Sequence, residues 1–130
     1  MQLAKPVDIE YAIAEALDIH ATPIPANLGR SLPYAVVTRT GGGRADLVVD
    51  NHFVDVDVYS YDGDWAGATD EAATLIAHAC ELGGTTSVGA FLCAVTVETM
   101  PYNNPDPDHP SLARSTFSLR VTARAEVSDT

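Results

Sequence analysis

The sequence predicts one α+β domain in which two helices pack on one face of a mainly antiparallel, twisted β-sheet. Two segments carry apolar residues at helical spacing, and the segments between and after them alternate apolar with polar residues. The predicted order is helix, two or three strands, helix and two long strands. Because each element has one apolar side, a layer of helices on a sheet accounts for the pattern. The length suits a single domain spanning residues 1–130.

Both helices are predicted from apolar residues that recur every three or four positions. The first begins after Pro6, because proline is favoured in the first turn of a helix, and it ends near Asp18. The second runs from about Trp65 to Leu82, with Asp64 as its N-cap and two glycines directly after it. The residues of the two apolar faces are Ile9, Ile13 and Leu17 in the first helix and Ala68, Ala72, Leu75, Ile76, Ala79 and Cys80 in the second.

The strands are predicted from period-two alternation and from β-branched residues. Residues 20–33 contain three prolines and are expected to form an extended loop, and Gly41–Gly43 is expected to form a flexible turn. A short strand is expected from Asp46 to Val49, and residues 126–130 are expected to form a flexible tail. The main predicted strands are residues 34–40, 53–61, 88–100 and 113–125.

The sheet face opposite the helices is predicted to carry charged residues from three strands. Because side chains alternate along a strand, these residues share the face that the helices do not cover. Such a face is either solvated, or it is a subunit interface or the lining of a channel. The candidate interface or lumen residues are Asp55, Asp57, Glu98, Arg114, Arg120 and Arg124.

A long loop joins the last two strands between Pro101 and Pro110. Its four prolines predict a stiff and mostly extended segment, which suits contact with a neighbouring protein. The candidate partner-contact residues are Tyr102, Asn103, Asn104, Asp106, Asp108 and His109.

Charge is the strongest compositional feature of the chain. Eighteen acidic residues stand against seven basic ones, which gives a formal net charge of −11. This balance argues against tight binding of nucleic acid, which needs clustered Lys and Arg, and against docking on an anionic membrane. It is compatible with a surface that DNA passes without sticking, and also with plain solubility. No apolar segment is long enough to span a membrane, and no signal peptide is expected.

The sequence shows no motif of catalysis, cofactor binding or metal binding, so we expect no enzyme activity, no cofactor and no metal. No Gly-x-Ser-x-Gly elbow occurs, and Gly41–Gly43 is not followed by the Lys-Ser/Thr of a phosphate loop. The four histidines lack the spacing of a zinc site. Cys80 and Cys93 are expected to be small buried residues in a reducing cytoplasm, although a bridge between them is left open.

The assembled pattern resembles the tail terminator, or tail-completion, family of head–tail joining proteins in long-tailed bacteriophages. The resemblance covers nearly the whole chain and is one of layout, since the family has no invariant catalytic motif. An alternating strand leads directly into an Ala-rich helix, and a loop rich in Pro and Asp precedes an arginine-bearing last strand. The matching segments are Val7–Glu10, Leu32–Val37 leading to Gly41–Gly42, Val54–Tyr59 and Arg114–Val121.

The resemblance implies a structural virion protein that forms a homohexameric ring at the head–tail junction. Such a ring would cap the tail tube, stop its polymerisation and meet a connector protein of the head neck. Genome DNA would pass through its centre without specific binding. The alternatives are another junction protein, such as a head-closure or connector subunit, and a small cytoplasmic enzyme or ligand-binding domain, which would need a pocket with convergent polar groups.

Overall fold

A computed structural model describes the backbone of residues 2–129 and the side chains of residues 3–126. It confirms the α+β class, with two α-helices and a six-stranded mixed sheet. In chain order the elements are β1 (Gln2–Lys5), α1 (Ile9–Leu17), β2 (His20–Ala21), a 3-10 turn (Leu28–Arg30), β3 (Tyr34–Arg44), β4 (Val49–Ser60), α2 (Trp65–Ala79), β5 (Thr85–Ser87), β6 (Ala90–Asn103), β7 (Ala113–Arg124) and β8 (Glu126–Asp129).

The main sheet has the strand order β2-β3-β4-β7-β6-β5. All its neighbours are antiparallel except the short pair β2–β3, which is parallel. The four central strands contain 11 to 14 residues each, so the sheet is long for a chain of this size. Strands β1 and β8 form a separate antiparallel pair that joins the two ends of the chain.

Both helices pack on the same face of the sheet, where one apolar cluster contains residues from every central strand. Ile13 of α1 and Ala72 of α2 are fully buried there together with Val56 and Phe117 of the two middle strands. Burial of each large apolar side chain contributes roughly 1.5–3 kcal/mol to folding. Asp64 accepts a hydrogen bond from the Gly67 N–H and therefore caps α2, as predicted.

A second, smaller apolar cluster lies on the opposite face of the sheet. The residues that form it are Leu28, Tyr34, Val36 and Tyr59, with Ile24, Leu32 and Leu112 packed against them. The segment 20–33 was predicted to be an extended loop, but it begins with the short strand β2, contains a 3-10 turn and buries Leu28 against the strands. Because β2 and β3 run parallel, the chain must return between them, and it covers one end of this face as it does so.

The glycine run was misplaced by the sequence prediction. Gly41–Gly43 is not a turn: the three glycines continue β3 and pair with residues 51–53 of β4. The turn lies at residues 45–48, where Asp46 accepts hydrogen bonds from the Val48 and Val49 N–H groups. The short strand predicted from Asp46 to Val49 is therefore mostly this turn. A run of three glycines favours a turn in sequence analysis because glycine is locally flexible. Whether such a run joins a strand depends on pairing with a distant segment, which the run itself does not reveal.

Strand β6 contains register shifts that sequence alternation could not indicate. One lies between Leu92 and Ala94, so Cys93 is an extra residue in the strand. As a result Leu92 is fully buried, and Phe91 does not share the apolar face of Val95. The prediction that both cysteines are buried is wrong, since Cys80 is exposed and Cys93 half-buried, and both thiols are free.

The short strands at the two ends of the chain were not predicted. Residues 126–130 were expected to be a flexible tail, whereas Glu126–Asp129 forms β8 and pairs with β1. Thr130 lies outside the described residues. Neither segment has a clear alternating pattern, so only their pairing with each other defines them as strands.

Candidate functional site

The sheet face opposite the helices, called here the open face, carries the charged residues that the sequence predicted for it. Asp55 and Asp57 of β4 point away from Val54 and Val56, which face the helices. On β7 the odd positions are buried and the even positions, including Arg120, lie on the open face, as predicted. The open face has three parts. One end is covered by the second apolar cluster and is called the covered end; the centre is exposed; the far end lies near the β5–β6 turn.

Hydroxyl groups of β7 hold the acidic and amide side chains of β4 in a cross-strand ladder. Ser118 Oγ donates to Asp55 Oδ1 over 2.7 Å, and Thr116 Oγ1 donates to Asp57 Oδ1 over 2.6 Å. Further along, Thr122 Oγ1 donates to Asn51 Oδ1 over 2.7 Å. Each pair is directly opposite in the strand register. The ladder fixes the positions of the β4 carboxylates and satisfies one of the acceptors of each.

Asp57 differs from Asp55 because it lies closer to the covered end of the open face. Burial raises the pKa of Asp57 above its usual range, and the hydrogen bond from Thr116 opposes that shift. The charge of Arg114 also lowers the pKa of Asp57, by a smaller amount than the hydrogen bond. The carboxylate is therefore held in place at some electrostatic cost, which its hydroxyl partner and the nearby guanidinium partly offset.

The centre of the open face is solvent accessible and has mixed character. Arg120 Nε lies 3.4 Å from Glu98 Oε1, and the two side chains are 47% and 40% exposed. Phe53 is directly opposite Arg120 in the register and is 42% exposed. An exposed ion pair of this kind contributes little to the stability of a monomer. A phenyl ring beside an accessible ion pair is the composition found in the contact surfaces of proteins.

Arg124 lies at the far end of the open face, apart from the other two arginines. Its guanidinium carbon is 5.6 Å from the centre of the Phe91 ring. Both residues line a surface groove of about 350 Å³, together with Tyr11 of α1 and Val88. Val88 has a φ of 50°, which is unusual for a β-branched residue, and belongs to the turn between β5 and β6.

Arg114, predicted as an interface or lumen residue, directs its guanidinium towards the β6–β7 loop of its own subunit. Its Nε donates to the Asn104 carbonyl over 2.6 Å, and its Nη1 lies 3.6 Å from Asp106 Oδ2. Its guanidinium also lies 5.8 Å from the centre of the Tyr59 ring. Arg114 therefore binds the β6–β7 loop to the sheet, which is a structural role within one subunit.

Asp106 is the acceptor on which this loop converges. Its carboxylate accepts hydrogen bonds from Tyr59 Oη over 2.7 Å and from the Asp108 N–H over 3.0 Å, and His109 Nδ1 lies 3.0 Å away. Burial would raise the pKa of Asp106, but these hydrogen bonds and the charge of Arg114 lower it to about 2. Burial and the bond to Asp106 raise the pKa of Tyr59 to about 12.

The predicted partner-contact loop is thus divided between internal and outward-facing residues. Tyr102 and Asn103 are the last part of β6 and are exposed. Asn104 donates to Thr116 Oγ1 over 3.1 Å, and Asp106 is buried. The side chain of Asp108 is exposed, and His109 is half-buried against Tyr59. A partner could therefore contact Tyr102, Asn103 and Asp108, whereas the other three residues hold the loop in shape.

Three further residues of potential interest were not singled out from the sequence: Phe53 and Arg39, which are exposed, and His52, which is buried. Phe53 stands on the open face, and its place in the alternating run of β4 could have indicated this. Arg39 and His52 lie side by side, with Arg39 Nε 3.0 Å from His52 Nδ1. They are thirteen positions apart, and no local pattern joins them, because their contact depends on the pairing of β3 with β4.

Across residues 2–129 no group of three or more His, Cys, Asp or Glu side chains could hold a metal ion. Within the same range neither helix is long and apolar enough to cross a membrane. Comparison of the sequence with protein-family models gave no match, and neither did comparison with curated proteins.

Proposed function

We propose that this chain is a structural virion protein, the ring-forming tail terminator of a long-tailed bacteriophage. The observation that carries the proposal is the exposed centre of the open face, where Phe53 stands beside the Arg120–Glu98 pair. In a ring, each subunit would place this centre against a different surface of the next subunit. Such head-to-tail contacts close into a ring when the rotation between subunits divides the circle evenly.

The rigidity of the open face supports an assembly role. The hydroxyl ladder and the four long strands hold the face in one arrangement before any partner arrives. A preorganised surface loses less conformational entropy on association than a mobile one. Mixed charges at the centre favour one orientation of the partner over others.

The covered end of the open face supports contact with a second kind of protein. The anchored β6–β7 loop stands there with Tyr102 and Asp108 exposed, and its shape is fixed by Asp106 and Arg114. In the proposed assembly this loop faces either the tail tube or the connector of the head neck. The chain would then act at the head–tail junction of the virion after synthesis in the host cytoplasm.

The ring is tested by charge reversal at the centre of the open face. The Arg120→Glu variant is expected to fold normally but to lose ring assembly in sedimentation velocity and negative-stain images. Lys5→Glu changes the net charge equally at an exposed position on β1 and should leave assembly intact. Wild-type protein that stays monomeric at high concentration and with tail tubes would contradict the proposal.

A charge swap separates contacts between subunits from the pair within one subunit. Arg120→Glu combined with Glu98→Arg restores the internal ion pair but reverses its direction. If Arg120 contacts the next subunit, the double variant should still fail to form rings. Recovery of assembly by the swap would mean that the internal pair alone matters. Mixing wild-type rings with tail tubes or with portal complexes then separates a terminator from another junction protein, since only a terminator should cap the tube end.

A further inference from the structure

Exposed apolar side chains are concentrated at the end of the sheet where β4 begins and β7 ends. Tyr11, Val88 and Phe91 line the groove of about 350 Å³ together with Ala125. The Ala125 N–H donates to the Val48 carbonyl over 2.7 Å, which brings the β3–β4 turn beside the groove. Clustered exposure of apolar residues, unlike single exposed residues, marks a contact surface. These side chains and a neighbouring arginine are called the end patch, which consists of Tyr11, Leu47, Val48, Val88, Phe91 and Arg124.

Val88 of the end patch has a backbone conformation that valine disfavours. It forms the two-residue turn between β5 and β6 with Gly89, and the φ angles of the two residues are 50° and 79°. Such turns favour Asn, Asp or Gly, because a β-branched side chain is strained at positive φ. The Val88 side chain is 54% exposed, so its own subunit gains little from its apolar surface. Strain at an exposed apolar residue is typical of a residue retained for contact with another surface.

Leu47 is held out into solvent by an ordered turn. Asp46 Oδ1 accepts hydrogen bonds from the Val48 and Val49 N–H groups over 2.8 and 3.0 Å. Leu47 is 85% exposed, which is the largest exposure among the large apolar side chains of residues 3–126. Because the turn is fixed before any partner arrives, a contact made by Leu47 loses little conformational entropy.

Arg124 supplies the end patch with a positive charge that is free for a partner. Among residues 3–126 no carboxylate lies within 4.0 Å of its guanidinium, which lies over the Phe91 ring. Two acidic residues also line the groove. Asp8 caps α1, where the positive end of the helix offsets its charge, whereas Glu126 is exposed and has no ion pair within the same residues. The end patch therefore offers one positive and one negative group.

The centre of the open face has complementary features. Phe53 stands there with 42% of its surface exposed, so its ring is available to an apolar groove. Asp55 is fixed by the hydrogen bond from Ser118 and has no cation within 4.0 Å among residues 3–126. Arg120 is paired with Glu98, but this pair is exposed and can share its charges with a partner. The centre therefore offers one aromatic ring, one free carboxylate and one accessible guanidinium.

The charges of the two surfaces have matching spacings. Asp55 is opposite Ser118 in the register, and Arg120 follows Ser118 by two residues. Arg124 and Glu126 are likewise two residues apart at the groove. Two residues of extended chain span about 7 Å, so both opposite-charge pairs can form across one contact.

We propose that the end patch of one subunit receives the centre of the open face of the next subunit in the ring. The Phe53 ring enters the neighbouring subunit's groove beside Val88 and Phe91. Arg124 of that subunit pairs with Asp55, and its Glu126 faces Arg120. Because the two surfaces differ and every subunit has both, the contact is head-to-tail and can close into a ring. This inference rests on the proposed function and names the surface that completes the ring contact.

Val88→Asn separates assembly from folding. Asparagine suits the positive φ of this turn, so the variant should melt at no lower temperature than the wild type. Loss of the apolar side chain should weaken ring assembly by about tenfold or more. A thermal melt measures the first effect, and sedimentation velocity over a concentration series measures the second.

Arg124→Glu tests the charge of the end patch and should also prevent ring assembly. Arg30→Glu makes the same change of charge at an exposed position on the 3-10 turn and should assemble like the wild type. Rings that form equally well with Val88→Asn and Arg124→Glu would overturn the inference and leave the proposed ring intact. Rings of these variants that no longer cap tail tubes would assign the end patch to another protein, which also overturns it. A wild type that never assembles would overturn the proposed function together with the inference.

Mixing two defective variants tests whether these two surfaces meet. Arg120→Glu retains an intact end patch, and Arg124→Glu retains an intact centre of the open face. Each variant alone should remain monomeric. The mixture should form a dimer of one copy of each and nothing larger, because only one intact pair of surfaces remains. A mixture that stays monomeric would show that the end patch does not contact the centre of the open face.

Discussion

At the scale of single residues, Asp106 is the acceptor that holds the loop before β7 in place. One buried carboxylate joins Tyr59, Asp108 and His109 and lies near the guanidinium of Arg114. The loop that precedes β7 therefore has a fixed path even though it belongs to neither a helix nor a strand. A buried polar network is stabilising only when all its members have hydrogen-bond partners. Removal of its central acceptor should therefore destabilise the whole loop.

Asp106→Asn is expected to lower the free energy of unfolding at pH 7 by about 1–3 kcal/mol, because the amide replaces an acceptor with a donor. The folded pKa of Asp106 is below its usual 3.8, at about 2. Its ionisation therefore stabilises the fold fully above about pH 4, and this contribution is lost as the pH falls towards about 2.

Urea denaturation from pH 7 to pH 2 measures this effect. The wild type should lose stability over the acid range, and the difference from Asp106→Asn should shrink there. Asp108→Asn alters an exposed carboxylate of the same loop and serves as the matched control. Equal stabilities of Asp106→Asn and the wild type at pH 7 would show that the network is not formed in solution.

At the scale of elements, β7 is the central support of the molecule. It pairs with β4 along its whole length and with β6 along most of it. One face of β7 packs under the helices through Phe117, Leu119 and Val121, and the other face supplies the hydroxyls of the ladder. Because β7 contributes side chains to both, it connects the apolar core directly to the open face.

Phe117→Ala is expected to destabilise the protein by roughly 3–5 kcal/mol, because the substitution leaves a cavity in the closed core. Phe53→Ala removes the same ring from the exposed centre of the open face and should cost much less. Chemical denaturation of the two variants measures the difference. Similar losses for both variants would mean that the two faces of the sheet are assigned the wrong way round.

At the scale of the whole molecule, the acidic charge governs encounters with nucleic acid. Of the seven basic residues, Arg44, Arg114 and Arg120 lie beside carboxylates of the same chain. Few positive charges are therefore left to neutralise phosphates, and the proposed ring would repel DNA rather than bind it. The proposed role as a conduit for a genome requires passage of this kind, without adhesion.

Duplex DNA is expected to show no measurable binding to the protein, with a dissociation constant weaker than about 10⁻⁴ M at 150 mM NaCl. Fluorescence anisotropy of a labelled duplex measures this directly. Reduction of the salt to 50 mM should not restore binding, since the interaction is repulsive. Binding that strengthens steeply at low salt would reveal a basic patch and contradict the conduit.

Local sequence patterns predicted the α+β class, both helices and the faces of β4 and β7. Each of these depends on neighbours a few residues apart, such as the Asp64 cap or the alternation around Phe117. The prediction failed where distant segments decide the outcome. The extra residue at Cys93, the strand made by Gly41–Gly43 and the pairing of β1 with β8 are set by their partner strands.

The sequence by itself determined which side chains of β4, β7 and most of both helices face the core, because the periods of helices and strands are properties of the local backbone. Only the tertiary structure decided which charges meet. It drew Arg114 into the loop, paired Arg120 with Glu98 and brought Arg39 to His52. Those contacts depend on strand register and on chain reversals between distant segments, and a shift of register by one residue would exchange the two faces of a strand.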